Sequence, residues 1–170
     1  VVEKTALADA EVEYEDHTSN TIYVKFNILQ SSIKELIDAN LVIWTTTPWT
    51  IPGNRALAYG KELEYNLIKV LKINEKSLAL IDDKLVIAKE LTNKVLLELG
   101  IIESQILKCF SGKELYGIEC DHPFKEIGYN FIVKAFEADF VNLEQGTGIV
   151  HIAPGHGADD YNLGINNGVD

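Results

Sequence analysis

Apolar and polar residues alternate loosely over residues 11–29, with Val12, Tyr14, Ile22, Val24, Phe26 and Ile28 apolar around the polar turn His17-Thr18-Ser19-Asn20. A period of two on both sides of a turn predicts strand–turn–strand. Ser32-Ile33-Lys34-Glu35 has capping-box form ahead of Leu36 and Ile37, which predicts a short helix. Residues 41–47 are a β-branched and aromatic run stopped by Pro48, hence a strand running into a fixed turn. Residues 66–71 and 77–81 predict a hairpin across Asn74-Glu75. Leu85, Ala88, Leu91, Val95, Leu96 and Leu99 then recur at helical spacing, with Gly100 suited to close the helix. Strands are predicted over 101–110, 114–120, 131–133 and 148–152, and a short helix from Asp159. Many short strands, few helices and no βαβ alternation predict a β-rich α+β domain, a small β-barrel with peripheral helices.

The chain has 170 residues, the size of one domain, and no linker or repeat divides 1–170. Hydrophobic residues make up 46% and charged residues 24%, so a core can form without disulfide or metal. No apolar run is long enough to span a membrane, and Val1-Val2-Glu3 lacks the pattern of a signal peptide, so a cytoplasmic protein is expected. Cys109 and Cys120 lack metal-ligand spacing and read as reduced core thiols. The absence of methionine and the start at Val1 suggest a domain excised from a larger protein.

Net charge changes the picture. It is −11, and the two ends carry it: residues 1–20 hold six acids against Lys4, and residues 135–170 hold six acids and no lysine or arginine. Such a chain is not expected to bind nucleic acid unaided.

Two segments carry chemistry. In Trp44-Thr45-Thr46-Thr47-Pro48-Trp49-Thr50-Ile51-Pro52-Gly53-Asn54, hydroxyls crowd a strand end that two prolines hold rigid. They could bind a polar substrate or orient a water, or simply reflect strand propensity. A threonine is a poor nucleophile without a base, and none lies nearby in sequence. In the segment from Gly146-Thr147-Gly148 through His151, Gly155, His156 and Gly157 to Asp159-Asp160-Tyr161, glycines permit close backbone approach. Asp159 reads as a helix cap. His151, His156 and an aspartate could form a His₂-carboxylate set, but the spacing matches no metal fingerprint and no metal is predicted. Nucleotide fingerprints are absent as well.

These two segments, with Gly112-Lys113-Glu114-Leu115-Tyr116-Gly117 leading to His122-Pro123-Phe124, closely resemble the editing domain of isoleucyl-tRNA synthetases. This is the connective-peptide insertion of those class I enzymes. The order and spacing of the motifs match, and the resemblance runs over the whole chain, including Ala10-Glu11-Val12-Glu13-Tyr14. The sibling valyl and leucyl domains usually place arginine where Thr47 stands, followed by proline and an acid; here Pro48 is followed by Trp49. The Ala153-Pro154-Gly155-His156-Gly157 loop resembles the bacterial type.

The resemblance implies hydrolysis of valine mistakenly esterified to tRNA(Ile), possible also for valyl-adenylate. Asp160 would pair with the substrate ammonium, and His151 would crowd the extra methyl of isoleucine and help hold the terminal ribose. Thr45, Thr46 and Thr47 would line the hydroxyl side. Trp49 and Asn54 would flank the terminal adenosine or the side chain, with Gly146, Thr147 and Gly148 beside the substrate. Water would attack the ester without a covalent intermediate. No cofactor is implied in this domain, whereas the parent enzyme would use ATP and Mg. Its partners would be the 3′ end of tRNA(Ile) carrying valine and the rest of the synthetase. Two alternatives stay open: an amino-acid or aminoacyl-adenosine binding module without activity, and a deacylase acting in trans.

Overall fold

A computed structural model describes residues 20–169. The expected strand and turn over 11–19, and the 10–14 motif, lie outside the described residues. Nine strands form one mixed sheet: β1 (Ile22–Gln30), β2 (Asn40–Thr45), β3 (Ala56–Tyr59), β4 (Glu64–Ile73), β5 (Lys84–Ala88), β6 (Ile101–Ser111), β7 (Glu119–Asp121), β8 (Ile132–Glu137) and β9 (Ile149–Ile152). Two helices, α1 (Thr92–Glu98) and α2 (Ala158–Asn167), lie at its periphery. The β-rich α+β class is as expected.

The spatial order is β6-β4-β5-β2-β1-β7-β8-β3-β9, with β2–β5 and β3–β8 parallel and the other pairs antiparallel. Strand β1 joins two halves: residues from Ile22 to Asn27 pair with β2, and Ile28 and Gln30 pair with β7. The sheet curls so that β9 packs near β2. It is not the closed barrel that the strand pattern suggested. No ladder joins its ends, and the loop before β9 reaches β5 through a single bond, Ala88 N–H to Thr147 O at 2.8 Å. The main core fills the fold between the halves, with Phe26, Ile43, Leu57, Tyr65, Leu67, Ile87 and Ile118 wholly buried. A smaller cluster, Ala56, Ala58, Val141, Ile152 and Leu163, seats α2 on the outer face of β3 and β9.

Several local expectations need correction. Leu85 to Ala88 are strand, not helix, because Leu85-Val86-Ile87-Ala88 is a continuous apolar run buried on both faces. The helix begins only at Thr92, although Gly100 follows its end with φ +68° as predicted. Residues 77–81 form no strand; Leu78 and Leu80 point into solvent, and β4 turns back through β5 and β6 instead. The Ser32 capping box is absent, and residues 34–36 make only a 3₁₀ turn. A capping box does form at Ser111 and Glu114, so Glu114 opens a turn and the next strand is β7 alone. Cys120 is buried and its thiol pushed up by desolvation, whereas Cys109 is exposed on edge strand β6 rather than in the core; both are free.

Two contacts lock the entry to β9 in place. The buried Tyr65 hydroxyl donates to Gly148 O at 2.7 Å and accepts from Gly60 N–H at 3.0 Å. Gly148 has φ +78°, and a Cβ there would lie 2.4 Å from Ala88 Cβ. Both backbone strain and overpacking therefore oppose any side chain at this position. Gly148→Ala is expected to lower stability by about 2–4 kcal/mol in denaturant unfolding. Adding Ala88→Gly should recover the steric share and leave the backbone share.

Candidate functional site

The site forms where the end of β2, the turn after it, β9 and the start of α2 meet. Thr45 ends β2, and its Oγ1 accepts from Thr47 N–H at 3.1 Å and lies 3.2 Å from Thr47 Oγ1. Buried Thr45 thus fixes the exit of the strand, Thr47 is half-buried, and Thr46 is the exposed member of the run. Pro48 then opens a 3₁₀ turn over Pro48–Gly53. This turn swings Thr50 back onto Thr47, so that Thr50 Oγ1 donates to Thr47 O at 2.8 Å.

That bond settles a proton on His151. A hydroxyl has one proton, and Thr50 gives its proton to Thr47 O. The contact between Thr50 Oγ1 and His151 Nε2 at 3.1 Å must then be donated by His151. His151 is accordingly the Nε2–H tautomer, and its buried Nδ1 is a bare acceptor with no protein partner. Strand β9 holds the ring by pairing His151 with Leu57 of β3. Burial pushes the His151 pKa down, the Asp160 carboxylate pulls it up, and His156 adds to the depression. The outcome is a neutral imidazole.

Asp160 lies in the first turn of α2, where the helix dipole favours negative charge. Its Oδ2 accepts from Ala153 N–H at 3.2 Å, which aims the half-buried carboxylate across the loop after β9. Gly157, not Asp159, is the N-cap, so the expected capping role of Asp159 is corrected; it is exposed in the first turn. His156 is exposed beside Gly53, where an added Cβ would meet its ring at 3.3 Å.

Thr45, Thr46, Thr47, His151 and Asp160 therefore come from distant parts of the chain to one edge of the fold. Trp49 stands 70% exposed on the same turn, available to a ligand. The remaining binding candidates are placed differently. Asn54 is 0% exposed, and its Nδ2 donates to Ala56 O at 2.8 Å, so it braces the chain entering β3. Thr147 is buried and bonds Ile149 at the start of β9, and Gly148 packs on Ala88. Gly146, with φ +80°, packs beside Trp44. The Gly-Thr-Gly segment sets the path into β9 through its packing on Trp44 and Ala88 and its bonds to Ile149. Thr50 is the residue that the sequence reading missed. Its signal was Thr-Pro-x-Thr spacing, since proline after the first threonine starts a turn that brings the fourth residue back.

A cavity of about 510 Å³ lined by Gln30, Tyr59, Tyr116, Lys134 and Phe136 contains none of these residues. Among the described residues, no cluster of three His, Cys, Asp or Glu side chains could hold a metal ion, and no helix is long and apolar enough to cross a membrane.

No family model matches the chain. It is 48% identical over 168 residues to an isoleucine–tRNA ligase of Pelagibacter ubique, covering 99% of this chain and 18% of that protein. Isoleucine–tRNA ligases of Gluconobacter oxydans and Brevibacillus brevis are 45% and 43% identical, each over 95% of this chain and 17% and 16% of theirs. The chain thus spans under a fifth of the length of these relatives. Among solved structures, GlLeuRS-CP1 matches 86% of this chain and 59% of its own with a TM-score of 0.63 at 17% identity. The editing domain of P. knowlesi cytosolic leucyl-tRNA synthetase matches 83% and 59% with a TM-score of 0.60 at 14% identity.

The depressed His151 pKa makes stability depend on pH. The unfolded histidine titrates near about 6.5 and the folded one lower, so between these values the unfolded chain binds more protons. Stability contributed by neutral His151 is thus full above about pH 6.5 and is lost as pH falls through the folded value. Thermal unfolding from pH 8 to 5 should show a decline below about 6.5, shallower in His151→Gln.

Proposed function

We propose, from the premise that this chain is homologous to a segment of isoleucine–tRNA ligases and has the fold of a synthetase editing domain, that it hydrolyses valine wrongly esterified to tRNA(Ile). The observation that carries the reading is the meeting of Asp160 with the Thr50–His151 pair at one open edge. A carboxylate already steered by Ala153 N–H suits a substrate ammonium through a charge-assisted bond. That contact selects aminoacyl over plain acyl esters. The half-buried His151 ring stands beside Thr50 as a wall of the site, with its Nδ1 beneath the surface. Thr46 and Thr47 supply further hydroxyls, and Trp49 an aromatic face for the terminal adenosine.

Water attacks the ester carbonyl, and the ribose oxygen leaves. The threonines and His151 form no activated nucleophile, because the Thr50 proton is committed to a backbone carbonyl and His151 donates to Thr50 rather than accepting from it. The protein contributes positioning and polar stabilisation. The need for such a site is physical: isoleucine and valine, a well-known instance, differ by one methylene, which a binding pocket resolves by only about 1–3 kcal/mol. A second site that excludes the larger side chain multiplies that discrimination. In this reading the rest of the synthetase presents the tRNA in the cytoplasm. ATP and Mg serve the parent enzyme, and this domain uses no cofactor.

Deacylation of valyl-tRNA(Ile) by the 170-residue chain tests the reading. Asp160→Ala should reduce it about ten- to hundredfold, the worth of a hydrogen bond to a charged group, and wild-type turnover in that variant would refute the anchor. His151→Ala should admit isoleucyl-tRNA(Ile), and continued sparing of that product would refute the steric role. Activity should persist in EDTA. Binding of a valyl-adenosine analogue without turnover would leave a binding module instead.

A further inference from the structure

His122 belongs to none of the site residues above, yet it is 1% exposed and both of its ring nitrogens are engaged. Nδ1 accepts from Phe124 N–H at 3.0 Å. A nitrogen that accepts is bare, so the ring proton sits on Nε2, which lies 3.1 Å from Ile51 O and donates to it. Ile51 lies within the Pro48–Gly53 turn, directly after Thr50. Its carbonyl also accepts from Asn54 N–H at 3.0 Å, so both of its lone pairs are used.

The ring itself is clamped. It stacks on Tyr129 with centroids 4.7 Å apart and planes 15° off parallel. Phe131 and Phe124 tilt against it at 5.2 and 5.5 Å, and Phe26 meets it edge-on at 6.3 Å. Arg55 lies over Phe131 at 4.8 Å and donates to Asn54 O at 2.8 Å, tying the aromatic cluster to the far end of the same turn. Burial lowers the His122 pKa, the bond to Ile51 opposes this, and Arg55 adds to the lowering, which keeps the ring neutral and both bonds in place.

We infer that His122 is a positioning residue of the site: through the Ile51 carbonyl it holds the Pro48–Gly53 turn that sets Thr50 against His151. Without it the turn keeps its own short-range bonds, the packing of Ile51 and the single contact of Thr50 with His151. Thr50 could then drift from His151, and the imidazole would lose the contact that selects its tautomer. The link rests on the deacylation reading only for its effect on turnover, because its effect on the His151 ring is independent of any substrate.

Two variants separate the nitrogens. In His122→Asn a short amide can still accept from Phe124 N–H but does not reach Ile51 O. In His122→Gln the longer amide can donate to Ile51 O. ¹⁵N NMR of the His151 ring in the whole chain reads the tautomer directly. The wild type should show one protonated and one bare nitrogen, His122→Asn should move both signals toward an averaged value, and His122→Gln should restore the wild-type pattern. Valyl-tRNA(Ile) deacylation should follow, with kcat about tenfold lower in His122→Asn at little-changed KM and recovered within about threefold in His122→Gln. Unchanged His151 signals in a folded His122→Asn chain would overturn the inference, whatever the activity. Should His122→Asn not fold, disturbed His151 signals in His122→Gln would overturn it equally. Shifted His151 signals in a chain inactive on valyl-tRNA(Ile) would keep the positioning link and sink the deacylase reading alone.

Discussion

A hydroxyl has one proton, and in this structure the Thr50 proton is already given to Thr47 O. The state of the His151 ring follows from that commitment. It makes His151 the donor to Thr50 and leaves Nδ1 a buried acceptor without a protein partner, so the ring is no base toward Thr50. The arrangement needs β2, the proline turn and β9 held at hydrogen-bond distance from one another. The curled but unclosed sheet achieves this with point contacts: Tyr65 to Gly148, Ala88 to Thr147, and His122 to Ile51.

Legibility in the sequence follows the range of the interactions. Strands β1, β2 and β9 were readable because their burial alternates or their residues are β-branched, both local signals. Strand β5 was misread because a run buried on both faces has no period, and Leu85 and Ala88 happened to share a helical spacing with Leu91 and Val95. The false strand at 77–81 has the opposite cause. Its apolar residues suggest burial, yet Leu78 and Leu80 are exposed in the connection between β4 and β5. Barrel closure depends on whether distant edges pair, and no local pattern encodes that.

The site divides in the same way. The two chemical segments were visible because hydroxyls, glycines and acids crowd together in them. Their residues separate only in three dimensions, into those that face outward and those that hold the frame. Asn54 and Thr147 have the composition of binding residues, but both are buried, with the Asn54 amide nitrogen and the Thr147 hydroxyl donating to backbone carbonyls. Thr50 and His122 act through bonds to carbonyls three and seventy-one residues away. The former is legible from turn chemistry and the latter is not.

The acidic surplus also acquires a position. Among the described residues of the C-terminal part, Asp159 and Glu144 are exposed and Asp160 is the half-buried acid, at a helix start that stabilises its charge. A rim of negative charge raises the local concentration of cations and repels phosphates. In the proposed reading that charge favours an ammonium carried on an ester over a polyphosphate backbone. If the substrate is an aminoacyl-tRNA, recognition must be split. This domain contributes the contact to the one cationic group of the substrate, and its anionic remainder has to be gripped by basic surface elsewhere in the parent chain.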